Sequence, residues 1–222
     1  MSYSAYAGLS GAWTAPAAHG AVINLNERLR LNIAAFPSLD LNSGSAIITF
    51  NSEVTTILIN RESETDFHAL DPTCTHAGCR VNPYSIATNT IACPCHGSQF
   101  SMQGQVIQGP AVGNLQPYAT QFEAPSFLNI EVPGLIHRLD QIAVHSSSRM
   151  RLTFPTMFGS QYHIRHSPDL TAPFEIISFA TTAEGVATES VLNGTGEEAI
   201  VFVDTAGAAG FFVLELLVYQ VA

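Results

Sequence analysis

From Val22 onward, short apolar runs alternate with turn signals: LRLNIAAF, then LDLNSGS, AIITF and TTILIN, with Asn, Ser and Gly between them. Runs of this length separated by turn residues predict a meander of short strands rather than helices. Further along, Met150, Leu152 and Phe154 alternate with Arg149, Arg151 and Thr153, and Tyr162 and Ile164 alternate with His163 and Arg165. Such period-2 patterns belong to half-buried strands. The run FFVLELLVYQV is mostly apolar on both faces and predicts a central strand. The fold class is therefore all-β.

Three segments follow. Residues 1–21 are rich in small residues and Ser, with a single Trp13, and read as a linker or arm. A first domain runs over 22–134, ending at Gly134 after a predicted strand, Phe127 to Val132. A smaller β-sandwich-like domain of unassigned role occupies 135–222.

The chain has 222 residues, 46% hydrophobic and 12% charged, which is enough to bury a sizeable core. Its formal net charge is −10, and all eight of its basic residues are arginine. That balance gives nucleic acid no electrostatic footprint and favours a basic protein partner. The first twenty residues hold no Lys or Arg and no continuous apolar stretch, so no signal or anchor is legible there. The apolar run 208–222 contains Glu215 and is shorter than the roughly 20 residues of a spanning helix, so no membrane span is expected.

All four cysteines lie between residues 74 and 95, a clustering that points to disulfides or a metal site. The segments Cys74-Thr75-His76-Ala77-Gly78-Cys79 and Cys93-Pro94-Cys95-His96-Gly97-Ser98-Gln99-Phe100 each supply a Cys and a His. Between them, Val81 to Ala92 can run out and back as a hairpin turning near Thr88 and Asn89, which would set the segments side by side. A tetrahedral zinc site is the plainer alternative, but it would leave two cysteines idle, and Cys74-x-His76 is tighter than zinc spacings usually are.

The two segments resemble the paired Cys-x-His and Cys-x-x-His loops of the Rieske iron–sulfur proteins, over roughly residues 22–133. The resemblance implies a Rieske-type antiparallel sheet domain with a cluster-binding subdomain at about 70–113, holding a [2Fe–2S] cluster. Cys74 and Cys93 would bind one iron, and His76 and His96 the other. Cys79 and Cys95 would pair as a disulfide. Gly104, Val106 and Gly109-Pro110-Ala111 resemble the family's proline loop, which covers the third side of the cluster.

Mixed ligation has an electrostatic consequence. Two ferric ions, two sulfides and two thiolates cancel in charge, whereas four thiolates would leave the centre anionic and harder to reduce. Compared with the cytochrome bc proteins, Ala77 stands where a bulky Leu is usual. Phe100 stands where a Tyr hydroxyl would donate to the Cys74 sulfur, and Ser98, the expected donor to a bridging sulfide, is retained. The function implied is one-electron transfer, between a quinol or oxidoreductase donor and a c-type cytochrome, by a chain with no substrate-converting site of its own. Partners would be a basic c-type cytochrome or a membrane quinol-oxidising complex, and the location periplasmic or otherwise extracytoplasmic. An electron-relay subunit resembling that of arsenite oxidase is the alternative. A Rieske oxygenase component fits less well, because it calls for a second iron site. His163, His166 and Asp169 hint at one, but residues three apart on a strand face opposite sides.

Overall fold

The computed structural model describes residues 28–50, 55–135, 137, 139–168, 171–204 and 210–218. The arm over 1–21 and Asp169 lie outside them. The described chain is nearly all β, with two short 3₁₀ turns at Ile33–Ala35 and Pro37–Leu39. Those turns interrupt the run LRLNIAAF that the pattern presents as one strand. The strand ends at Asn32, whose side-chain oxygen accepts the Ala34 N–H, and Pro37 opens the next turn.

Three sheets share one core. The largest contains strands Arg28–Asn32, Thr120–Glu123, Phe127–Glu131, Ser160–Ser167 and Phe211–Val218, with the short pieces Glu175–Ile176 and Leu192–Asn193. A four-stranded sheet is built around Arg149–Pro155 and Glu198–Asp204, and another around Ser45–Phe50, Thr55–Arg61 and Phe67–Leu70. Leu29 and Leu31, Ile57 and Ile59, Leu152 and Phe154, and Leu214 and Leu216 all meet in this core. The alternation of Tyr162 and Ile164 with His163 and Arg165 is observed, with the first pair fully buried.

The boundary expected at Gly134 does not separate two sheets. Phe211–Val218 is a central strand, as its two apolar faces predict, but one of its neighbours is the N-terminal strand, paired in parallel with Leu29 opposite Leu216. The sandwich-like part therefore lends its last strands to a sheet that begins at residue 28. Across the other face of that sheet runs a polar ladder: Arg30 reaches Glu123 at 2.7 Å and Glu215 at 3.6 Å, and Arg165 reaches Glu215 at 3.0 Å. Period-2 geometry puts Leu29 and Leu31 into the core and Arg28 and Arg30 onto this face.

The strand Thr55–Arg61 positions the site. Ile57 and Ile59 point into the main core, while Leu58 points the other way, into a second and smaller core with Leu70, Val81, Ile91, Phe100 and Leu115. The sheet is thus a wall with a core on each side. Above the small core lies a three-stranded sheet of Ile91–Ala92, Gln99–Phe100 and Val106–Gln108.

Candidate metal centre

Two loops of the same build face each other over the small core. In the first, the Cys74 N–H donates to the Cys79 carbonyl at 2.7 Å, and the Gly78 N–H donates to the Cys74 carbonyl at 2.9 Å. In the second, the Cys93 N–H donates to the Ser98 carbonyl at 2.8 Å, and the Gly97 N–H to the Cys93 carbonyl at 3.1 Å. Gly78 and Gly97 close these loops at φ of 76° and 78°, a left-handed conformation in which a side chain would be strained. The connecting segment runs out and back as expected: Asn82 bonds to Ala92, Ser85 pairs with Thr90, and Asn89 takes a positive φ at the turn.

Identical loop backbones put like residues at like depths. Cys74 and Cys93 are each 2% exposed and belong to the small core, whereas His76 and His96 are exposed. The two imidazoles stand edge to face with ring centroids 4.7 Å apart. Cys79 and Cys95 form a disulfide that joins the loops, with Cα atoms 6.5 Å apart. The segment 109–113 is fastened to both loops: Thr75 Oγ1 donates to the Gly113 carbonyl at 2.5 Å, and the Ala111 N–H donates to Ser98 Oγ at 3.0 Å. Thr75 carries no signal of this role beyond its place between Cys74 and His76, and the sequence reading passes it over.

The thiol environments are polarised by backbone. Burial pushes the Cys74 thiol up, but the neighbouring His76 and Ala77 N–H groups, Cys93 and the Ser98 hydroxyl outweigh it and hold the thiol below its usual range. Burial and the bond to Cys74 push Cys93 up, although the Cys95 and His96 N–H groups oppose the shift. Among the described residues, no three His, Cys, Asp or Glu side chains converge as the ligands of a single ion would. The thiols and imidazoles lie at two depths, the thiols buried and the imidazoles exposed.

A family model described as "Rieske [2Fe-2S] domain" matches residues 33–119. Residues 33–119 thus form a Rieske [2Fe–2S] domain. This domain binds a [2Fe–2S] cluster. The chain is 37% identical over 82 residues to the chloroplastic cytochrome b6-f complex iron–sulfur subunit of Bigelowiella natans, covering 36% of this chain and 32% of that one. It is 42% identical over 57 residues to the corresponding subunit of Chlamydomonas reinhardtii, covering 26% and 27%. The chain spans about a third of the length of the curated relatives it matches. Among solved structures, the plasma membrane Rieske protein PetC3 of Synechocystis PCC 6803 is 32% identical over 40% of this chain and 87% of that one, with a TM-score of 0.35.

Around the Rieske loops, the residues singled out from sequence fall as follows. Ser98 and Phe100 are fully buried, Phe100 in the small core with both thiols, and Gly109 and Pro110 are exposed at the start of the fastened segment. Ala77 is exposed beside His76. His163 and His166 are kept apart by the strand Ser160–Ser167. His163 meets Glu215 at 3.3 Å, whereas the His166 ring lies 4.9 Å from Phe212. No helix among the described residues is long and apolar enough to cross a membrane.

Proposed function

We propose that Cys74 and Cys93 hold one iron of the [2Fe–2S] cluster and His76 and His96 the other, in a chain that passes single electrons from a quinol-oxidising complex or oxidoreductase to a basic c-type cytochrome. One observation carries the reading: two buried thiols lie beneath two exposed imidazoles, in loops bound by a disulfide. When bound, the cluster supplies a one-electron couple, in a range of about −150 to +300 mV for Rieske centres.

The chain's own residues do the rest. The loop N–H groups and the Ser98 hydroxyl stabilise negative charge on the sulfurs, and the small core around Leu70, Ile91 and Phe100 keeps water from them. The exposed His76 and His96 rings give a partner its shortest approach. The cytochrome b6-f iron–sulfur subunits among the relatives support the partner class. The net charge of −10 supports a basic acceptor, and the disulfide supports an extracytoplasmic location. Residues 22–134 are the Rieske unit in this reading, with 135–222 an appended unit that completes its largest sheet.

The test is the EPR spectrum of the reduced protein. A [2Fe–2S] centre with nitrogen couplings from two imidazoles is expected, with one of the two lost in each of His76→Ala and His96→Ala. Zinc without iron on metal analysis, or both nitrogen couplings persisting in either variant, would overturn the assignment.

A further inference from the structure

At the base of the first Rieske loop opens a cleft of about 710 Å³, within the usual size of a small-molecule site. Its lining is mostly polar: Asp71, Thr73 and Arg80 come from the loop, with Thr55, Thr56 and Tyr118 beside them, while Val132 and Leu135 at its floor are almost fully buried in the main core.

Among the described arginines, Arg28, Arg30, Arg149 and Arg165 each meet a carboxylate, Arg61 is tied to the carbonyls of Leu39, Asp40, Ser63 and Glu64, and Arg151 donates to the Gln141 side chain, away from the cleft. Arg80 is exposed and donates only to Thr56 Oγ1, at 3.3 Å, with no carboxylate partner among the described residues. Most of the guanidinium's five N–H donors are thus open to a ligand, in a fork that fits a carboxylate. Thr73 and Arg80 face each other across a β-bridge, and Asp71 stands two residues before Thr73. Asp71 Oδ1 accepts the Thr73 N–H at 2.8 Å, which leaves its other oxygen as an acceptor. The cleft therefore carries a cation and an anion that do not pair with each other.

We infer that this cleft binds a small zwitterion of about dipeptide size, its carboxylate on Arg80 and its ammonium towards Asp71. A multiply charged anion is disfavoured by Asp71 and by the net charge of −10, whereas a zwitterion meets no net repulsion. The site is separate from the cluster ligands and makes no use of them. It shares the first loop with them, through Asp71, Pro72, Thr73, Gly78 and Arg80.

Calorimetric titration of the cluster-loaded full chain with leucyl-leucine, its C-terminal amide and its N-acetyl form tests this. Leucyl-leucine is expected to bind roughly tenfold more tightly than either blocked form, the factor that about 1.4 kcal/mol gives. Arg80→Gln should erase the preference over the amide, and Asp71→Asn the preference over the acetyl form. Asn keeps the acceptor for the Thr73 N–H, so the loop should remain intact, as an unchanged EPR spectrum would show. If either variant fails to assemble its cluster, the ligand series on the unaltered chain decides. No heat at millimolar leucyl-leucine, equal binding of all three ligands, or preferences that survive both substitutions would overturn the proposal. Loss of only one preference would overturn its zwitterionic form.

Discussion

The Ser98 hydroxyl accepts the Ala111 N–H at 3.0 Å and is one of the groups that hold the Cys74 thiol down, so one buried oxygen links the fastened segment 109–113 to a proposed iron ligand. Because Ala111 uses the oxygen as an acceptor, the hydroxyl proton is directed to the sulfur side. Ser98→Ala removes that donor and orphans the Ala111 N–H. Such a bond stabilises the reduced, more negative centre more than the oxidised one. The midpoint potential of Ser98→Ala should therefore fall, on the order of 40 mV if the bond favours the reduced state by roughly 1 kcal/mol. Protein-film voltammetry at fixed pH and salt, with iron content checked, measures it. An unchanged potential would remove Ser98 from the set that tunes the centre.

Phe100 tests a hydrogen bond that is missing. It is fully buried in the small core with Cys74 and Cys93, on the strand Gln99–Phe100. Phe100→Tyr should place a phenol hydroxyl near the Cys74 sulfur and raise the potential by a similar amount, on the order of 40 mV. An intact cluster with an unmoved potential would mean that residue 100 does not present its ring edge to that sulfur.

The Cys79–Cys95 bond spans a sequence separation of 16. Closing a loop of about 15 residues is worth roughly 3 kcal/mol in the chain-entropy model, and this bond also holds the two loops together. Cys79→Ser should lower stability by about that amount and speed cluster loss, read by denaturant unfolding and by the decay of visible absorbance. Thiol labelling of the unfolded, unreduced, cluster-free chain should find about two reactive cysteines, and finding four would withdraw the bond.

Acid should weaken the sheet that joins the two ends of the chain. Burial pushes Glu215 up, but His163, Arg165 and Arg30 outweigh it and hold the carboxyl at about 2. A carboxyl depressed in the folded state contributes stability that is fully present above its unfolded value near 4.5 and is lost as pH falls towards 2. The contribution is on the order of 3 kcal/mol at neutral pH. Buried His137 adds an earlier slope. Burial and the nearby Arg28 hold it down to about 4, so between pH 6.5 and 4 the unfolded chain takes up the proton first and stability falls. Glu215→Gln should flatten the lower part of the pH–stability curve, and His137→Phe the upper part, in chemical unfolding at a series of pH values. Parallel curves for Glu215→Gln and the unaltered chain would show that the ladder carries no such linkage.

The paired loops were legible because their pattern is local. Cys74-x-His76 and Cys93-x-x-His96, with the glycines that close each loop, are spacings within a few residues, and a loop of that build forms wherever the chain puts it. Alternation was equally local and marked Tyr162, Ile164, Met150 and Leu152 as inward-facing. Local pattern does not choose neighbours, however. Leu29 opposite Leu216 is a pairing between the two ends of the described chain, and either strand's pattern would be satisfied by another partner. Parallel pairing leaves no turn signature to mark it. For the same reason the sequence placed a domain boundary at Gly134 but could not show that one sheet crosses it. It also could not show that Leu58 serves one core while Ile57 and Ile59 serve another, or that Arg80 would stand without a carboxylate at the edge of a cleft. Those facts depend on which strands lie side by side, and only packing over the whole chain decides that.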